Sequence, residues 1–535
     1  MAAGREWWRG AVIYQIYPRS FQDSDGDGVG DLPGILARLD HVASLGADAI
    51  WLSPFFASPQ RDFGYDVSDY CAVDPLFGTL ADFDRLVARA HALGLKIVVD
   101  MVWSHTSDAH PWFEDSRAAR DGECADWYVW ADPLGDGRPP NNWLSVFGGG
   151  AWTWEPRRRQ YYLHHFLASQ PKLNLRSEVV CAALFDAARF WIDRGVDGFR
   201  LDAVDFMFHD ASLRDNPPMP PGAEPPTRPF RMQFHLHDMM QPETLGFLAR
   251  LRRFLDDKGD VVALAEVSSE EGAFDRCGLY TQIDSGSLHM AYTLGLMKRP
   301  FAWENIVDLA VEAERAVPHG ALCWMFSNHD VERAVSRWSG GRPTPAFARL
   351  LMALLLTLRG GACVYQGEEL GLPEAEVPRE AMRDPYGIAF WPTFRGRDGA
   401  RTPMPWSGAV PHAGFTAGAA PWLPVPAPHA ALAVDLQERD PASTLHAWRR
   451  FLAWRRMQRD LVEGNMHVID LPPPGLALRR GAILAVFNLA AAPQRIPLDR
   501  LPPSRPLAGH GFDSAVSDGA LRLPPHGVYY GRLSA

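Results

Sequence analysis

The residues of this chain best suited to chemistry sit at the ends of short apolar runs, in a fixed order. Asp100 and His105 close KIVVDMVWSH, Arg200 and Asp202 lie in GFRLDAVDF, Glu266 ends VVALAEV, and His329 and Asp330 end CWMFSNHD. Each run reads as a buried strand. Polar groups at the carboxyl ends of successive parallel strands gather on the catalytic face of a (β/α)₈ barrel. Asp202, Glu266 and Asp330 would converge there beside Arg200 and two histidines, an arrangement suited to cleaving a glycosidic bond. Taken singly, each residue has a plainer reading: a buried ion pair, a strand-end Glu, a core His.

The rest of the sequence has to position these groups. Apolar runs alternate with helical patterns: AVIYQIY (11–17), ADAIWLS (47–53) and LKIVVDMVW (95–103), with amphipathic stretches between them that end in Gly. The alternation stops after His105 and resumes with GFRLDAV, VVALAEV, SLHMAYTL, LCWMFSN and ACVYQGEEL. It predicts an α/β fold, a (β/α)₈ barrel over 1–104 and 179–455. A loop-rich inserted domain, rich in Trp, Pro and Gly, is expected over 105–178, after the third strand. Short alternating pieces predict a C-terminal antiparallel β-sandwich over 456–535. Two long irregular segments, 206–245 and 372–440, follow the fourth and eighth strands, where loops shape a pocket.

Composition excludes several classes. A net charge of −11 argues against nucleic acid, which needs a concentrated basic face. No uninterrupted apolar run is long enough to span a membrane. Six scattered cysteines without a C-x-x-C pair read as free thiols, and the first residues carry no apolar secretory core, so a cytoplasmic protein is expected.

Asp23, Asp25, Asp27 and Asp31 form a D-x-D-x-D-G-V-G-D loop. With the carbonyl of Val29 they have the spacing of hard-cation ligands, although Gly34 stands where a full EF-hand has Glu.

The ordered set YQIYPRSFQDSDGDGVGDLPGI, GYDVSDY, DMVWSH, QPKLN, GFRLDAVDF, LAEV, SNHD, YQGEELG and RDGARTPMPW resembles glycoside hydrolase family thirteen, the α-amylase family, over nearly the whole chain. Its α-glucosidase and oligo-1,6-glucosidase branch matches best. The resemblance implies that Asp202 is the nucleophile, Glu266 the general acid/base and Asp330 the third carboxylate. It implies that His105 and His329 flank the first glucose, that Arg200 supports Asp202, and that Asp100 organises Arg200. It makes Asp62 and Tyr65 the pair closing the non-reducing end, with Arg397 preferred to Arg401 as partner and Phe147 and Phe166 as walls. It places a structural Ca²⁺ or Mg²⁺ in the Asp23 loop.

The expected enzyme is a retaining exo-α-glucosidase acting on short oligosaccharides or α-glucosides. The alternatives are a transglucosidase, a sucrose-cleaving enzyme or an oligo-1,6-glucosidase of the same family. A non-catalytic partner subunit fits poorly, since all three carboxylates are kept. Three departures stand out: Ser104 replaces a common Asn, Lys172 a common Asp, and the small Ala203 follows the nucleophile, which in this branch accompanies α-1,4 preference.

Overall fold

The computed structural model describes residues 6–534 apart from 221–226, 283–285, 296, 298 and 419. Among the described residues, eight parallel strands form one sheet: β1 (Val12–Ile16), β2 (Ala49–Leu52), β3 (Lys96–Met101), β4 (Gly198–Leu201), β5 (Val262–Val267), β6 (Met290–Thr293), β7 (Cys323–Met325) and β8 (Gly361–Tyr365). Each pairs with its neighbours in sequence, β1 also pairs with β8, and a parallel bridge from Ala291 to Leu322 links β6 to the start of β7. The sheet is thereby a nearly closed barrel, and the expected sixth strand, SLHMAYTL, lies within it.

Alternation explains why strands buried on both faces read as continuous apolar runs. Ile13, Trp51, Val98, Val262, Leu264 and Met325 point into the barrel and pack together. Their neighbours, such as Tyr14, Ile50, Ile97 and Phe199, face the helices. The helices start and stop where the sequence marks them. Asp31 caps α1 (Leu32–Leu45), and Thr79 with Asp82 forms a capping box on α2 (Leu80–Ala92). Gly46, Gly94 and Gly195 follow the first three barrel helices with positive φ.

The segment after β3 holds an eight-residue helix, Pro111–Ala118, and a three-stranded antiparallel sheet of Trp130–Ala131, Trp152–Glu155 and Gln160–Leu163. The helix is only two turns long, too short to show a helical period in sequence. After Met466 the chain forms two antiparallel sheets, of five and three strands. Leu484, Val486, Ile496, Leu521 and Tyr529 pack in one cluster drawn from both. No described helix is long and apolar enough to cross a membrane.

Candidate active site

Strand register builds the centre of the site. Asp100 on β3 is the direct neighbour of Arg200 on β4, and Glu266 on β5 is the direct neighbour of Tyr292 on β6. Asp202 follows β4 and is held to β3 by its N–H on the Met101 carbonyl at 3.0 Å. These side chains meet around the fully buried guanidinium of Arg200. One terminal nitrogen lies 2.7 Å from Asp100 and 2.8 Å from Asp202, and the other 2.7 Å from Glu266. Carboxylates sharing one guanidinium in this way are at most about 8 Å apart, within reach of a single sugar ring.

Glu266 accepts two further bonds, from the Ala203 N–H at 2.9 Å and the Tyr292 hydroxyl at 3.1 Å. Ala203 has φ 45° and ψ 49°, a left-handed conformation that costs a non-glycine residue about 1–3 kcal/mol. That conformation accompanies the aim of its N–H at Glu266.

A second cluster stands beside the first. Arg397 reaches Asp62 at 2.9 Å, Asp384 at 2.8 Å and Asp330 at 3.1 Å. Arg401 reaches Asp330 at 2.7 Å and the His329 carbonyl at 2.7 Å. His329 accepts from the Gln15 amide at Nδ1 (2.8 Å), so Nε2 carries the proton and faces the Tyr65 hydroxyl at 2.6 Å. The Tyr65 hydroxyl then donates to Asp100 at 3.2 Å, and the Tyr65 and His329 rings stack at 5.4 Å. His105 is fixed by Ser104 on Nδ1 at 2.8 Å, while its Nε2 lies 3.0 Å from the Tyr65 carbonyl. Phe166 packs on His105, and Phe147 stands between Phe166 and Tyr386 with the Arg397 guanidinium over its ring. Tyr386 also contacts Arg228, so the segments after β4 and β8 meet the insertion at this point.

Burial dominates the electrostatics. It pushes Glu266 up to about 7, against the pull of Arg200 and with the help of the Asp202 and Asp330 charges. It also pushes Asp202 up to about 7, against the pull of Arg200. Arg200 offsets burial only in part, because it is shared among three carboxylates and because Asp100 and Asp330 repel the charge on Asp202. Both carboxyls are thus held well above the usual carboxylate range, chiefly by burial. Burial would raise Asp330 too, but the surrounding positive charges, Arg397 and Arg401 first among those present near neutrality, outweigh it and hold this carboxyl far below its usual range. Asp62 is raised to about 6 by burial, and His105 and His329 are lowered to about 3, so both imidazoles are neutral. Six carboxylates face three arginines, an excess of negative charge suited to a cationic, oxocarbenium-like transition state.

The structure thus gathers Asp62, Tyr65, Asp100, His105, Arg200, Asp202, Glu266, His329, Asp330 and Arg397 into one connected network. Sequence reasoning missed Tyr292, Gln170, Gln15 and Asp384, and passed over Arg401. Gln170 opens the QPKLN motif, which carries its signal in the sequence, and donates to Asp62 at 3.1 Å.

In the Asp23 loop, Asp23, Asp25 and Asp27 have carboxylate oxygens within 4.8 Å of one another. Burial and its two acidic neighbours raise Asp27, against a bond from the Val29 N–H at 2.7 Å. Gly28 has φ 97°, and a Cβ there would lie 2.3 Å from the Ala420 carbonyl oxygen, so the sharp turn requires glycine. Asp31 stands outside the trio. Its carboxylate accepts from the Gly34 N–H at 2.6 Å and from Ser24, which makes it the N-cap of α1.

The comparisons with known proteins agree with this architecture. The model of the α-amylase catalytic domain matches residues 15–464. The chain is 51% identical to a probable α-glucosidase of Rhizobium meliloti (strain 1021), covering 99% of this chain and 98% of that protein. It is 34% identical to an oligo-1,6-glucosidase of Parageobacillus thermoglucosidasius, covering 93% and 92%. The crystal structure of the α-glucosyl transfer enzyme XgtA superposes with a TM-score of 0.95 at 54% identity, covering 99% of each chain. The chain belongs to the α-amylase family of glycoside hydrolases.

Proposed function

We propose that this enzyme is a retaining exo-α-glucosidase that removes terminal α-linked glucose, mainly α-1,4, from short oligosaccharides. The observation that carries the reading is the single guanidinium of Arg200 bridging Asp202 and Glu266. Asp202 attacks the anomeric carbon as the glycosidic C–O bond breaks, and Glu266 gives its proton to the departing oxygen. Water then attacks the same carbon, Glu266 takes its proton and Asp202 leaves, so two inversions return the α configuration. Asp330 grips the hydroxyls beside the reacting carbon, with His105 and His329 as neutral neighbours. The Asp62–Arg397–Asp384 cluster shuts the far end of the site, which favours removal of one terminal glucose.

The likeness to a glucosyl transfer enzyme supports a second reading, in which another alcohol replaces water in the second step. The two are separated by product analysis with maltose, isomaltose, sucrose and p-nitrophenyl α-glucoside, with and without added alcohols. Free glucose from chain ends is the expected main product. Early release of maltose or maltotriose from maltohexaose would overturn exo-action.

The Asp23 trio, all hard oxygen donors, fits a divalent cation such as Ca²⁺ or Mg²⁺, with Asp31 bracing the loop. A cation there stabilises the turn and takes no part in chemistry. Chelation is expected to lower Tm by about 3 °C or more while kcat at 25 °C stays within about 2-fold. A Tm indifferent to chelator and to Asp23→Asn would remove the metal from the account. All six cysteines are free thiols, which supports a reducing, cytoplasmic setting.

A further inference from the structure

Lys172 lies in the insertion, yet its side chain reaches the turn that follows the proposed nucleophile. It is 1% exposed, and its ammonium donates to the carbonyls of Phe206 and, at 3.0 Å, Met207. Among the described residues it makes no ion pair; Asp238, Arg176, His105, His165 and His209 are the titratable groups that sense its charge. Burying an ammonium without a carboxylate partner in contact is unfavourable, and the two carbonyls hold it directly while the Asp238 charge favours it from further off. Burial lowers its pKa to about 7, which records the same cost.

The turn it grips does three things at once. It carries Asp202 out of β4, it aims the Ala203 N–H at Glu266, and it places the Phe206 ring against Phe166 at 5.0 Å. From the opposite side, Asp205 anchors the same turn to the Ser269 N–H and the Tyr280 hydroxyl, each at 2.8 Å. Lys172 supplies the other half of the clamp. Its own backbone is set by pairing with His105, and Gln170 two residues earlier touches Asp62 and His105. One short segment therefore contacts both the rim of the site and the turn after the nucleophile.

We propose that Lys172 is a positioning residue, whose buried ammonium clamps the turn after Asp202 so that nucleophile, acid/base and the Phe206 ring behind Phe166 are presented together. The proposal rests on the roles given to Asp202 and Glu266. The test is Lys172→Met, of similar length but without charge or donor, assayed on p-nitrophenyl α-glucoside per folded enzyme. The expected result is a kcat about 10- to 100-fold lower with KM within about 3-fold. Lys172→Gln, which keeps an N–H donor, should fall between variant and parent, and it is judged by the same criterion if Lys172→Met does not fold. A kcat within about 2-fold of the parent overturns the proposal whatever Tm does, since a merely structural lysine moves Tm and not kcat. That result would leave the roles of Asp202 and Glu266 standing; only full activity in their own variants would remove those.

Discussion

Asp202→Gly is expected to lose about 10⁴-fold or more of kcat on p-nitrophenyl α-glucoside, and added azide is expected to restore turnover with β-glucosyl azide as product. The loss follows from removing the atom that bonds to the anomeric carbon, which leaves the covalent route without its first step. The rescue follows from the surroundings. Deleting the carboxylate leaves space beside the Arg200 guanidinium, whose remaining charge attracts a small anion to the place Asp202 occupied. Azide attacks once from that side and nothing displaces it, so the product is inverted. Activity within about 10-fold of the parent, or rescue giving the α-azide, would assign the nucleophile elsewhere.

Glu266→Gln is expected to lower kcat/KM on maltose by about 10²- to 10⁴-fold and to cost far less in the first step with p-nitrophenyl α-glucoside, whose leaving group needs little protonation. Deglucosylation then limits, and the covalent intermediate accumulates. The pH profile should change with it. In the parent, the rate is expected to fall as pH rises through about 7, because Glu266 loses the proton it must donate. It is also expected to fall as pH drops below about 7, because Asp202 takes up a proton and ceases to be a nucleophile. Glu266→Gln removes the alkaline limb. It should leave the acidic limb near its parent position, because the protonated Glu266 of the active form is as neutral as Gln. An unchanged bell-shaped profile of kcat/KM would place the acid on another residue.

The barrel was legible because its strands announce themselves: most are short apolar runs, and the second, third and fourth each follow a helix closed by glycine. GFRLDAV and VVALAEV carry both fold and chemistry in the same seven residues, so Arg200, Asp202 and Glu266 could be chosen together. What the sequence hid is convergence across the fold. Tyr292 sits mid-run in MAYT and reads as core filling, yet register sets it beside Glu266. Asp384 and Arg397 lie in an irregular segment with no period to place them, and only the fold brings both to Asp62 and Asp330. The division of Arg200 among three carboxylates depends on distances that spacing cannot give. Lys172 stands out in its motif, but its target, a turn about 34 residues away, is visible only in three dimensions.

The central claim is that one glucose unit is transferred twice at one carbon, with its configuration inverted each time. Proton NMR of the first seconds of p-nitrophenyl α-glucoside hydrolysis tests it directly, by reading the anomer released before mutarotation. The account predicts α-glucose first, with the β signal growing later. β-Glucose at the earliest time points would mean a single displacement, and the paired roles of Asp202 and Glu266 would fall with it.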